Sequence, residues 1–145
     1  MTVRQVFVAE PAPRYQARPP IVVDSSLMCA VLFDEAEREQ AHDRLSGRHL
    51  LAPKLLSHEV INVAVNKARR GMPAAVVERA LADFLAQAID LLDTDVQGQY
   101  ALAQRYQLSA YDAAYLWLAA ELKAPLATFD AKLGKAAQRY LGALE

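Results

Sequence analysis

Four acidic residues, Asp24, Glu59, Asp112 and Asp130, stand where carboxylates can do chemistry. Asp24 directly follows the apolar run Ile21-Val22-Val23, and Asp130 directly follows Leu126-Ala127-Thr128-Phe129. Asp112 falls in the first turn of a helix opened by Ser109, and Glu59 near the start of a helix after Pro53. In open α/β sheets the carboxyl ends of strands and the starts of the following helices line one crevice. Carboxylates gathered there repel one another and do not all stay ionised unaided. Hard divalent cations such as Mg²⁺ or Mn²⁺ relieve that repulsion through oxygen ligands. They also activate water and stabilise charge on a phosphodiester leaving group. The expected chemistry is metal-assisted phosphodiester hydrolysis. A plainer reading stands beside it. Asp24 and Asp130 suit helix N-caps, and Ser109-Ala110-Tyr111-Asp112 approximates a capping box. Caps need not converge, whereas a metal site requires that they do.

The elements that must position these acids alternate. Ile21–Val23 reads as a short buried strand between Pro20 and Asp24. Helical spacing follows over Ser25–Phe33 and Glu35–Leu45, the latter highly charged, with Leu50–Ala52 a weaker strand candidate. A long helix is expected from Lys54 to Arg70, ended by Gly71, and another from Pro73 to Ala88. Ile89–Leu92 reads as a strand and Asp95–Tyr106 as a helix, with Tyr100, Leu102 and Ala103 offered to the core. Then come a helix over Ser109–Leu122, a strand over Leu126–Phe129 and a helix over Ala131–Tyr140. Leu141–Leu144 is left as a closing strand or a frayed end. Such alternation predicts an α/β fold, a central parallel sheet flanked by helices on both faces. Residues 1–20 hold four of the seven prolines and read as an extension outside a domain spanning 21–145, with a short edge strand around Val3–Val8 one option.

The chain has 145 residues, 54% of them hydrophobic and 23% charged, enough apolar material for one well-packed domain. Its formal net charge of −1 gives no broad electrostatic footprint for nucleic acid, so RNA binding would need a local patch or a metal. A single cysteine, Cys29, excludes an intramolecular disulfide and a Cys-x-x-Cys site, and suits a cytoplasmic setting. No apolar run reaches membrane-spanning length, and no secretory signal is visible. There is no HExxH, no phosphate-binding glycine loop and no nucleophile elbow.

Four segments together resemble the PIN domain family. They are Ile21-Val22-Val23-Asp24-Ser25-Ser26, His58-Glu59-Val60-Ile61-Asn62-Val63, Leu108-Ser109-Ala110-Tyr111-Asp112-Ala113-Ala114-Tyr115, and Leu126-Ala127-Thr128-Phe129-Asp130-Ala131-Lys132-Leu133. The third and fourth are the most specific, and the length and motif set resemble the VapC class of toxins. The resemblance implies a parallel sheet between helices and a Mg²⁺- or Mn²⁺-dependent endoribonuclease. It also implies an RNA substrate, a homodimer and a small antitoxin as partners. Asp24, Glu59, Asp112 and Asp130 would be catalytic metal ligands or water-positioning acids, with Ser26 and Thr128 orienting them. Two features depart from the family pattern: some twenty residues precede the first strand, and the match fades after Leu133.

Lys67, Arg69 and Arg70 cluster at a helix end, where the helix dipole accounts for them and an RNA phosphate contact is the alternative. Lys132 is weighed the same way, as a solvent-facing charge or an RNA contact. Two other functions compete. A catalytically silent PIN-like module acting through protein or RNA binding would be free to lose its acids, yet all four are here. A magnesium-dependent phosphatase would want Asp-x-Asp after the first strand, and Asp24-Ser25-Ser26 lacks the second acid.

Overall fold

A computed structural model describes residues 5–7, 9 and 18–144. Four short parallel strands form the sheet: β1 (Pro20–Val23), β2 (His49–Pro53), β3 (Asp90–Leu92) and β4 (Leu126–Ala127). Their spatial order is β3-β2-β1-β4. Val22 stands opposite Leu51 on one side and Leu126 on the other, and Leu51 opposite Asp90. The chain thus steps outward from β1 to β3, then returns to place β4 on the other side of β1. The gap between β1 and β4 is where the strand order reverses, and ligands of such sheets bind outside the carboxyl ends there. Asp24 leaves β1 at that point, and Asp130 follows β4 after a short bend.

Seven helices connect and cover the strands: α1 (Ser25–Leu32), α2 (Arg38–Leu45), α3 (Leu55–Arg69), α4 (Ala74–Ala86), α5 (Val96–Tyr106), α6 (Ala110–Leu122) and α7 (Ala131–Leu141). Helices α1 to α4 pack on one another, as do α5 to α7, and α6 also lies against β1, β2 and β4. Helix α1 buries Leu27, Met28, Cys29, Ala30 and Leu32, and α6 buries Ala113 through Leu116 together with Leu118 and Ala119. A helix apolar all round belongs in the interior, and the alanines of α6 let it sit close to the strands. The strands are apolar on both faces for the same reason: Val22, Val23 and Ala52 are fully buried. Gly98 sets the approach of α5 to α6, because a methyl group there would run into the Trp117 indole. Gly71, at φ +100°, ends the long helix as the sequence indicates.

Some expectations change. The second helix starts at Arg38 rather than Glu35, since residues 34–37 form turns and Asp34 takes a left-handed conformation. The last strand stops at Ala127: Thr128 and Phe129 bend away because the Thr128 hydroxyl bonds to Asp24 and the Phe129 amide to Ser26 at the β1–α1 junction. Tyr100 is 66% exposed and stays outside the core that Leu102 enters, being two positions round the helix from it. Residues 142–144 form no strand. Of the possible strand around Val3–Val8, residues 5–7 show no regular structure, and the rest lies outside the described residues. Leu85, 82% exposed, and Val76 are apolar surplus on α4.

Candidate metal-dependent active site

The first acid is held from several sides. Asp24 Oδ1 accepts the hydroxyl of Ser26 at 2.6 Å and the Leu27 amide at 3.1 Å, the latter as N-cap of α1. Its Oδ2 accepts the Thr128 hydroxyl at 2.5 Å. Each hydroxyl is itself oriented by a backbone donor. The Phe129 amide donates to Ser26 Oγ at 2.9 Å, and the Asp130 amide to Thr128 Oγ1 at 2.9 Å. Two relays therefore run from the β4–α7 junction into the two oxygens of Asp24. An oxygen that accepts a backbone N–H must point its own proton elsewhere, here at the carboxylate. Asp24 is 4% exposed, and burial pushes its carboxyl up from the usual range while these donors pull it back.

Glu59, in the second turn of α3, is pinned in a similar manner. Its Oε1 accepts the Tyr115 hydroxyl at 2.6 Å and its Oε2 the Ser25 hydroxyl at 3.1 Å. Tyr115 is 1% exposed on α6, and its proton is held far above the ordinary phenol range by burial first and then by bonding to Glu59. It thus stays a donor. Ser25 and Tyr115 are not among the residues singled out from the sequence. Both lie inside the quoted motifs, and Tyr115 falls one helical turn after Asp112, which is the only signal that marks it.

Asp112 and Asp130 occupy the open side. Asp130 caps α7 through its Oδ1 and the Leu133 amide at 2.8 Å. Ser109 caps α6 through the Asp112 amide at 3.0 Å. The capping reading holds for Asp24, Asp130 and Ser109. The Asp112 carboxyl is raised by burial and then, in order, by the negative charges of Asp130, Asp24 and Glu59. One acid senses the other three, although they are spread over more than a hundred residues of chain.

None of the four has a basic partner among the described residues, although ion pairs form elsewhere on the surface. Such uncompensated oxygen donors suit a hard divalent cation. Among the described residues no three His, Cys, Asp or Glu side chains stand close enough together to hold one ion directly. That spacing fits a hydrated ion: Mg²⁺ keeps several waters and takes only one or two carboxylates directly.

The expected RNA contacts lie in two places. Lys132 is exposed in the first turn of α7, two residues from Asp130. Lys67, Arg69 and Arg70 lie at the far end of α3, about 12–17 Å along the helix from Glu59 at 1.5 Å per residue. Lys67 there bonds Glu35 at 3.6 Å and sits over the Phe33 ring. Cys29 is buried, and its thiol is pushed up to about 12 by burial first, so it remains an inert core group.

Comparison with known proteins bears on the family and the fold. The family model described as PIN domain matches residues 21–138. Ribonuclease VapC3 of Pyrobaculum aerophilum is 30% identical over 121 residues, covering 79% of this chain and 92% of that protein. The crystal structure of PAE2754 from Pyrobaculum aerophilum superimposes with a TM-score of 0.67 at 20% identity, over 86% of this chain and 94% of that one, which speaks for the fold alone.

Proposed function

Since this chain belongs to the PIN domain family, we propose that it is a divalent-metal-dependent endoribonuclease, the toxin of a toxin–antitoxin pair, with Asp24, Glu59, Asp112 and Asp130 as its catalytic acids. The observation that carries this reading is that Asp24, buried beyond the end of β1, and Glu59 are each held at both oxygens by neutral donors while none of the four acids has a cation beside it. A silent module has no use for negative charge gathered at the cost of burial and repulsion. The name of the relative, a ribonuclease of the VapC class, supports RNA as substrate and a small antitoxin as partner. Self-association as a homodimer belongs to the same reading.

Mg²⁺ or Mn²⁺, when bound, would supply Lewis acidity toward a phosphodiester and lower the pKa of water. The chain's own residues prepare the place. Asp24, held at both oxygens, presents a fixed anionic edge at the floor of the crevice. Glu59, held by Tyr115 and Ser25, does the same from α3. Asp112, with its carboxyl raised by burial and by the neighbouring acids, keeps its proton to higher pH than an ordinary aspartate and is the candidate to exchange one. Asp130 holds its cap and closes the fourth side. Among the described residues no helix is long and apolar enough to cross a membrane.

The test is cleavage of total cellular RNA by purified wild type, Asp24→Asn and Asp112→Asn, in Mg²⁺, in Mn²⁺ and in EDTA. Discrete fragments that vanish in EDTA and fall by on the order of 10²–10³ in both variants are expected, the scale of losing one preorganised electrostatic group. Folded wild type that leaves all RNA intact in both metals would overturn the reading in favour of partner binding.

A further inference from the structure

Beside the acids lies a second feature of different chemistry. A cavity of about 700 Å³ opens between α3, α6 and the β3–α5 connection, and Glu59 lies on its border. Its floor is apolar, with Leu55, Leu92 and the buried Ala114. Its rim carries the amides of Asn62 and Gln99, the imidazole of His58 and the ring of Tyr111. That is the usual make-up of a small-molecule pocket, mostly apolar with a few placed polar groups, and the size is within the usual range.

Each rim group has a reason to be noticed. Tyr111 is 63% exposed, a large aromatic ring left to solvent directly before Asp112. Successive residues of a helix point about 100° apart, so α6 presents Asp112 to the acids and Tyr111 to the cavity. Gln99 is locked: its amide nitrogen donates to the Ala110 carbonyl at 2.7 Å, and its oxygen accepts the Thr94 hydroxyl at 2.7 Å. The Asn62 side chain has no hydrogen-bond partner among the described residues and is free to offer both donor and acceptor. The cation at the rim, Lys54, is already bonded to Asp93 at 3.0 Å, and Glu59 adds a negative charge. Such a lining repels a phosphate and accepts a flat, neutral, hydrogen-bonding heterocycle.

We infer that this cavity receives one unpaired nucleobase of the RNA strand, stacked on Tyr111 and read by Asn62, next to the phosphate handled by the acids. The inference rests on the nuclease reading and names its substrate form: single-stranded RNA with a splayed base, the form in which base edges are open to amides and aromatic rings. Tyr111 supplies binding and Asn62 selectivity, whereas the acids supply chemistry.

The probe is a set of single-stranded RNA octamers, each with one 2-aminopurine, titrated in EDTA and in Ca²⁺ and checked intact on a gel afterwards. Cleavage sites in total RNA are mapped in parallel in Mg²⁺ and in Mn²⁺. Wild type should quench the 2-aminopurine. Tyr111→Ala should weaken binding about 5- to 150-fold, the equivalent of one stacked base, and abolish the quench. Tyr111→Phe should keep both, since stacking needs only the ring. Asn62→Ala should broaden the base found at the cut, and an unchanged base preference in that variant overturns the assignment of Asn62. Wild type that cuts RNA while Tyr111→Ala binds and cuts identically overturns the pocket and spares the nuclease. Octamers bound and quenched in a Tyr111-dependent way with no cleavage in either metal support the pocket and overturn the nuclease. Loss of binding to an antitoxin polypeptide in Tyr111→Ala, with RNA binding untouched, assigns the cavity to protein and overturns the inference.

Discussion

Asp34, Asp83, Asp90 and Asp93 each have a basic group within 3.6 Å, namely Arg38, Arg79, His49 and Lys54. Asp24, Glu59 and Asp130 have hydroxyls and backbone amides instead, and Asp112 too has no cation beside it among the described residues. The difference is one of neutralisation against orientation. On the surface a carboxylate costs little in water, and a nearby cation adds little. At the crevice, neutral donors fix both oxygens of Asp24 and of Glu59 yet leave their charge uncancelled. The fold therefore keeps negative charge in place and aimed, at some expense in stability, and on the proposed function a cation from solution would complete it.

If orientation matters at the crevice, removing a neutral donor should hurt activity even though no acid is touched. Thr128→Val keeps the side-chain shape and deletes the hydroxyl that serves Asp24 Oδ2. We expect kcat/KM on RNA to fall about 10- to 100-fold, the usual consequence of losing a group that orients a metal ligand. Thr128→Ser should restore most of it, because the hydroxyl alone closes the relay from the Asp130 amide. Full activity in folded Thr128→Val would break the comparison.

The donor to Glu59 is a milder case. Tyr115→Phe leaves Oε1 without its partner, while Ser25 still holds Oε2. Cleavage should fall about tenfold, the lower end for an orienting group. Urea unfolding should show a loss of about 1–2 kcal/mol for the missing buried hydrogen bond. An unchanged rate with lowered stability would reduce Tyr115 to a core residue.

How much of this the sequence reveals differs between the same kinds of feature. Strand β1 and the acids behind each strand are plain in it, because β-branched runs ended by Asp read clearly and their order repeats a family pattern. The capping roles are equally plain, being local. The relays are not. Ser26 and Asp24 are neighbours, yet Thr128 reaches the same carboxylate from 104 residues away, and no periodicity encodes that meeting. The bend that ends β4 at Ala127 belongs to it: the segment reads as strand through Phe129 only while its bonds to the β1–α1 junction are ignored. Tyr111 and Asn62 are hidden for a related reason, since a cavity is made by three elements and belongs to none of them.

The smallest effect bears most directly on the uncancelled charge. Burial and three neighbouring carboxylates raise the Asp112 carboxyl above its ordinary value of 3.8. The folded protein thus keeps that proton to higher pH than the unfolded chain does. Between the two values the folded state binds more protons, so without metal its stability falls as pH rises through the window and stays lower above it. Asp112→Asn cannot ionise and escapes this. Its melting temperature in EDTA should match wild type below pH 3.8, pull ahead as pH rises through the window, and hold a constant lead beyond it. Mn²⁺ should close that lead at neutral pH by stabilising wild type alone, since a cation cancels the repulsion that the substitution removes. Asp93→Asn, at an acid already paired with Lys54, should stay within about 1 kcal/mol of wild type and be indifferent to Mn²⁺. Equal behaviour of the two variants would mean that the crevice acids are no more uncompensated than those on the surface.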